Sequence, residues 1–419
     1  MKNKRFLHCV FICLLFFNGI HTLTAQITAD FIEIKGIIID ENSKDVLIFA
    51  DVVIKNSNIS TITNSDGEFV IKVPDSLASQ DLVFSHLGYQ KKELKISEIP
   101  RNSKITLTPS LTELNPIEIT TFKNAETLLR ETLKNKNNAY HNDSALLTAF
   151  YRETIKKRRK NASLSEAVIQ IYQQANGSFK NDAIELIKAR KSTDYTKLDT
   201  LALKLQGGPF SNLYMDIIKY QEYIFTKENL PYYEFSFGET TKVNNKLAYV
   251  INFKQRPNIS EPLYYGKLYI DSESLALTNA VFSLNVENRE LASEMYIRKK
   301  PRQVDVYPTE ATYRVNYRIQ NGKWQYAYSN ILLTFKVNWK GKLFNSIYTL
   351  NSEMAITDWR INDAKFTRNK GNTLKPSTIL ADETSGFKDP AFWGEYNIIE
   401  PEKSIESAIE KIKKQLKRT

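Results

Sequence analysis

For most of its length the chain alternates apolar and polar positions over short runs. Its first part does so at Ile34 to Ile39, Val52 to Lys55, Glu68 to Val73, Leu82 to Ser85 and Leu94 to Ile96, with turn residues between the runs. That spacing predicts a small β-sandwich. Asn64-Ser65-Asp66-Gly67 tolerate positive φ or bond their own backbone, and they lead into Phe69, Ile71 and Val73, so a hairpin is predicted there. Ala125, Leu128, Leu129 and Leu133 then recur at helical spacing and stop at the Asn-rich stretch 135–138. Leu147 to Ile155 and Ala167 to Tyr172 read as paired strands. A second helix is predicted over 212–223, with Ser211 as its N-cap after Gly207-Gly208-Pro209.

Beyond that helix the period is two. Tyr233, Phe235 and Phe237 alternate with polar neighbours, as do Tyr249, Ile251 and Phe253, then Phe282, Leu284 and Val286, then Tyr313 to Ile319. Trp324, Tyr326 and Tyr328 read as the next strand, Ile331 to Val337 as another, and Phe344 to Leu350 as the last. The Asn321-Gly322 pair marks a two-residue hairpin. One apolar face per strand means an antiparallel sheet covered on one side, and with two helices to cover it the sheet must curl. The expected fold is mainly β: a small N-terminal antiparallel β-sandwich, then a larger antiparallel half-barrel sheet packed on a few α-helices. The expected divisions are a signal peptide at 1–25, the sandwich at 34–108, a linker at 109–122, the half-barrel domain at 123–360, and a tail at 361–419. In that tail Ile405, Ala408, Ile409, Ile412 and Leu416 form an amphipathic helical stripe.

The N-terminus settles the compartment to expect. Lys2, Lys4 and Arg5 precede an uncharged apolar stretch from Phe6 to Phe17, and Leu23-Thr24-Ala25 ends on a small residue, the form of a secretory signal cleaved after Ala25. Both cysteines, Cys9 and Cys13, lie inside it, so the mature chain holds no thiol for a disulfide, metal site or nucleophile. Removing residues 1–25 takes away three positive charges and no negative ones, lowering the formal charge from +11 to +8. A basic exported protein favours anionic surfaces in the envelope, and nucleic acid is not an expected partner.

Gly36-Ile37-Ile38-Ile39-Asp40, Ala50-Asp51-Val52-Val53-Ile54, Thr63 to Phe69 and Leu87-Gly88-Tyr89, in that order, resemble the carboxypeptidase-like regulatory domain, a transthyretin-like sandwich. The pattern departs at Asp45-Val46, where the family usually has Gly or Pro. The resemblance implies a fold and no activity. Tyr264-Tyr265-Gly266-Lys267-Leu268-Tyr269-Ile270-Asp271 followed by Ser274-Leu275-Ala276-Leu277 resembles a strand and turn of outer-membrane lipoprotein-carrier (LolA-like) half-barrels. That likeness implies a concave side able to hold acyl chains.

The chemistry-bearing motifs are few. Gly-x-Gly-x-x-Gly, Walker A and His-Glu-x-x-His are absent from the sequence. The mature chain's two histidines, His86 and His141, fall in separate predicted domains, one short of the two-His set a zinc peptidase needs in one place. Asp66-Gly67 reads as a turn without the rest of a calcium loop. Ser385-Gly386-Phe387-Lys388 fits Ser-x-x-Lys without its partner motifs. No catalytic, metal or cofactor residues are assigned. The candidate ligand residues are inward-alternating aromatics of the half-barrel, Tyr249, Phe253, Tyr317 and Phe335, and the other reading of these rings is core packed on the helices. The candidate headgroup or partner patch is Lys156, Lys157, Arg158, Arg159 and Lys160, the densest charge run in the chain. The resulting expectation is a non-catalytic protein of the periplasm, or of the periplasmic face of the outer membrane, binding an envelope protein or a lipid-like ligand, with peripheral contact to that membrane. Two alternatives stand beside it: an outer-membrane interaction adaptor without a small ligand, and a hydrolase whose converging carboxylates the sequence does not reveal.

Overall fold

The computed structural model describes residues 31–110, 122–158, 160–193, 207–298, 300–341, 343–361, 370–383 and 390–402. The signal peptide, most of the linker, Ser385 to Lys388, Arg159 and the tail helix lie outside the described residues.

The N-terminal unit is a two-sheet sandwich. One sheet orders β4 (Glu68–Pro74), β1 (Phe31–Asp40) and β7 (Asn102–Leu107); the other orders β3 (Ser60–Ile62), β2 (Asp51–Ile54), β5 (Asp81–Ser85) and β6 (Lys92–Lys95). Every pair is antiparallel except β1 with β7, which is parallel, a departure from the all-antiparallel sandwich expected. Ile34, Ile38, Phe69, Ile71, Leu82 and Phe84 fill the space between the sheets, with the Phe69 and Phe84 rings edge to face at 5.7 Å. A Cβ on Gly36 would meet Ser103 O at 2.5 Å and the Phe69 ring at 2.7 Å, so only glycine fits in β1 at that point. The Asn64–Gly67 turn is tight, with Gly67 N donating to Asn64 O at 3.0 Å, yet it is not a hairpin. Its flanking strands β3 and β4 belong to different sheets, and the turn carries the chain across the sandwich.

The larger unit is an eleven-stranded antiparallel sheet. Its main path runs β10 (Ala183–Thr193), β9 (Lys160–Gln173), β8 (Ala145–Lys157), β18 (Ser346–Ile361), β17 (Lys323–Trp339), β16 (Val304–Gln320), β15 (Leu277–Leu284), β14 (Tyr264–Asp271), β13 (Lys246–Gln255) and β11 (Tyr233–Phe237), with the short β12 (Thr241–Val243) also on β13. Two sequence-predicted strands merge here. Trp324 to Tyr328 and Ile331 to Val337 form one strand, β17, and the change of phase between them is a bulge: Tyr317 pairs with Tyr326 while Asn316 pairs with Tyr328, leaving Ala327 over. Asn321 and Gly322 both have positive φ, 48° and 76°, in the two-residue turn expected of them.

The first helix, α1 (Ala125–Lys134), begins where Asn124 Oδ1 accepts from Thr127 N and lays Leu128, Leu129 and Leu133 on the sheet. The second predicted helix is only α2 (Pro209–Leu213). It stops because the Asp216 carboxylate accepts from Ile218 N and Lys219 N at 3.2 Å, competing for groups a continuing helix would use. A third helix, α3 (Arg289–Tyr296), lies against β16 with Asn288 as its N-cap and was not expected from the sequence.

One face of the sheet is covered along its length, and the other over β10, β9, β8, β18 and β17. On one, α1, α2 and the irregular segment 213–232 complete a single apolar core that draws on strands from β10 to β11. On the other, Phe150, Val168, Tyr328 and Ala355 of the sheet meet Ile62 and Val70 of the sandwich and Trp393, Ile398 and Ile399 of the segment 390–402. The sandwich is docked on the sheet: Ser60 Oγ donates to Ile356 O at 3.0 Å, and the Asn58 amide donates to Trp359 O.

Candidate binding surface

The four aromatics expected to line a ligand cavity are packed instead. Phe253 lies within ring-to-ring distances of 5.2 Å of Phe225, 5.8 Å of Tyr233 and 6.4 Å of Phe282. Phe335 meets Tyr296 edge on at 5.9 Å, and the half-buried Tyr249 meets Phe122 at 6.5 Å. The hydroxyl of Tyr317 donates to buried Asp216 at 2.9 Å, beside a cavity of about 30 Å³, room for one water. The expected cavity is filled by what the strand pattern did not count: Leu213 at the end of α2, and Ile217, Ile218, Ile224, Phe225 and Leu230 from turns and short 3₁₀ pieces.

Beneath the segment 390–402 lies a buried charge network. Arg152 Nε donates to Glu166 at 2.8 Å, Arg190 donates to the other Glu166 oxygen, and Arg152 Nη1 reaches Glu353 at 3.2 Å. Tyr328 OH donates to Glu353 at 3.0 Å, and Arg152 Nη2 donates to Ile399 O at 2.6 Å. Burial works against the charge of Glu166, but the two guanidiniums outweigh it and hold the carboxyl below its usual range. For Glu353 burial wins and the shift is upward. These charges cross-link four strands, β10, β9, β8 and β18, to a backbone segment, and their polar atoms face one another.

The two histidines do not meet in a site. His86, in the sandwich, contacts Ile48 O through Nε2 at 3.0 Å, and burial beside Arg314 pushes it down to about 4. His141 lies against Trp359 with ring centres 4.4 Å apart and the rings tilted by 56°. Among the described residues, no group of three or more His, Cys, Asp or Glu could hold a metal ion.

The basic run lies at one end of the sheet, and the structure gives it neighbours. Lys157 pairs with Lys160 across a two-residue turn whose first residue, Arg158, holds φ +56°, a position where Asn or Gly is the unstrained choice. Arg158 N donates to Ile347 O at 2.8 Å, which sets this turn beside the connection from β17 to β18. In that connection Leu343 is 91% and Phe344 75% exposed. On its far side Lys340 N donates to Gln303 O at 2.9 Å, bringing in the segment after α3 with Arg298, Lys300 and Arg302. Two carboxylates border the cluster: Glu402 on Lys156 at 3.2 Å and Asp305 on Lys300 at 3.7 Å. An open groove of about 550 Å³ runs between α3 and β16, and its walls mix Arg289 and Arg298 with Glu290 and Glu294.

Residues 34–119 match the CarboxypepD_reg-like domain. The match covers the CarboxypepD_reg-like sandwich and ends before α1, leaving the large sheet outside it. Among solved structures the chain is similar to MucB in complex with MucA(peri), at 11% identity over 57% of this chain and 100% of that one, with a TM-score of 0.18. A DUF1329 family protein from Desulfovibrio piger matches at 8% identity over 58% of this chain and 93% of that one, TM-score 0.22. Lipovitellin matches at 8% identity over 59% of this chain and 28% of that one, TM-score 0.26. Similarity at these scores carries no argument about this chain. No curated protein matches it.

Proposed function

We propose that the chain is an exported, non-catalytic binding protein of the bacterial cell envelope, acting as an adaptor at the sheet end that carries Arg158, Lys340, Leu343 and Phe344. The export part rests on the signal-like residues 1–25. One observation carries the choice of surface: the inner face of the sheet is filled by the protein's own residues, while two consecutive large apolar side chains stand in solvent at its end. Exposed apolar groups rimmed by polar ones mark interaction sites. A carrier role inside the half-barrel is not part of the proposal, since protein side chains occupy that space. The test is site-specific photo-cross-linking in cells from position 344 and, as a reference, from the still more exposed Phe179 in the loop between β9 and β10. Cross-links from 344 exceeding those from 179 are the expected result; equal yields would contradict it.

A further inference from the structure

We infer that this sheet end docks on an anionic lipid bilayer, with Leu343 and Phe344 entering the boundary between headgroups and acyl chains while the flanking lysines and arginines hold the headgroups. The inference rests on the binding-surface reading above and names its occupant.

Charge gives the first support. The segments 156–161, 298–303 and 340–345 contain eleven lysines and arginines and no aspartate or glutamate. Eight of the eleven are among the described residues; these stretches are far apart in sequence, and the sheet brings their described parts together: β8 runs beside β18, and β17 beside β16. Basic residues in such a cluster are attracted to an anionic membrane within a Debye length of its surface.

Shape gives the second. Leu343 and Phe344 protrude from a hairpin tip, next to Ile347, itself 43% exposed. Protruding apolar groups need either a matching pocket or a medium that yields around them. An acidic protein would answer the charge without accommodating the tip; a bilayer interface answers both. Neither signal alone makes a stable anchor, and here two occur at one place. Arg158 supports the same reading, because the turn holds it in the left-handed region instead of the Asn or Gly that the Asn321-Gly322 turn uses. Phe179 is exposed as well, but its loop carries Lys180 and Asp182 rather than a run of one sign.

The test is co-sedimentation of the mature chain with phosphatidylcholine vesicles, with and without about one-third phosphatidylglycerol. Wild type should bind the anionic vesicles, and binding should fall as salt rises from about 0.05 to about 0.5 M. Leu343→Asp/Phe344→Asp and, separately, Arg158→Glu/Lys340→Glu should each weaken binding about tenfold or more while keeping the wild-type melting temperature, since all four residues lie in exposed turns. Phe179→Asp should leave binding unchanged. No binding to anionic vesicles, or equal losses from Phe179→Asp and the tip variant, would overturn the inference. If vesicles fail while cross-links from position 344 persist, bilayer docking falls and the binding surface stands. If both fail, the surface itself is removed.

Discussion

Where the sandwich and the segment 390–402 dock, the two faces of the large sheet are both dry, and they are dry for different reasons. One face is an apolar core in which Phe253, Phe282, Tyr313 and Phe335 pack on helices and on the segment 213–232. The other buries Arg152, Glu166, Arg190 and Glu353 under the sandwich and the segment 390–402. Thr61 Oγ1 donates to Ile398 O at 2.8 Å, and Asn397 Oδ1 accepts from Lys72 N at 2.7 Å. The first face follows from area removed from water; the second depends on each polar group meeting a partner. A polar position on a strand therefore need not face solvent.

Truncation should separate the two faces. Phe253→Ala opens a cavity among Phe225, Tyr233 and Phe282 and should cost about 3–5 kcal/mol in chemical denaturation. Arg152→Met leaves Glu353 buried without its guanidinium and should cost about 3 kcal/mol. Adding Glu353→Leu to it should recover part of that loss, because a buried ion pair is replaced more cheaply than it is broken. If Arg152→Met is neutral, the second face is not held as described.

Stability against pH sharpens the contrast between the two units. On the apolar side Glu153 accepts from Tyr151 OH at 3.0 Å, and burial raises it from its ordinary 4.5 to about 7. Between those values the folded state keeps a proton that the unfolded chain releases, so stability falls as pH rises, by up to about 3 kcal/mol. Glu153→Gln should remove that loss above pH 7. His86 has the opposite sign: its ordinary value is 6.5 and its folded value about 4, so stability is complete above 6.5 and falls as pH drops toward 4. His86→Gln should flatten only the acid side. The smallest expected effect is that of Thr61→Val, about 1 kcal/mol, from one hydrogen bond between the sandwich and Ile398.

Much of the architecture was legible because period two is a strong signal. Five of the seven sandwich strands, α1, the Asn321-Gly322 turn and the antiparallel sheet come from local pattern, while β3 and β7 were not among the runs read. The bulge at Ala327 was not, since a phase change in alternation looks the same whether the chain turns or slips by one residue. β10 was missed because Glu185, Lys188 and Arg190 interrupt its apolar series, and Arg190 is buried on Glu166. The aromatics were read as inward-facing, with a ligand cavity and a packed core both open. Leu213, Ile217 and Ile218 were read as part of a helix over 212–223, whereas Ile224, Phe225 and Leu230 follow no regular period and were not counted as filling for the half-barrel. The basic run was visible, whereas its approach to Lys340 and Phe344 depends on pairings between strands far apart in sequence.

The claim that the half-barrel is filled and that binding belongs to the sheet end is tested most directly by titrating the native mature chain with an environment-sensitive apolar dye. The expected result is weak binding confined to the sheet end, lost in Leu343→Asp/Phe344→Asp. Saturable binding that survives in that variant and is displaced by a fatty acid would contradict it, because it would require an apolar cavity beneath the sheet.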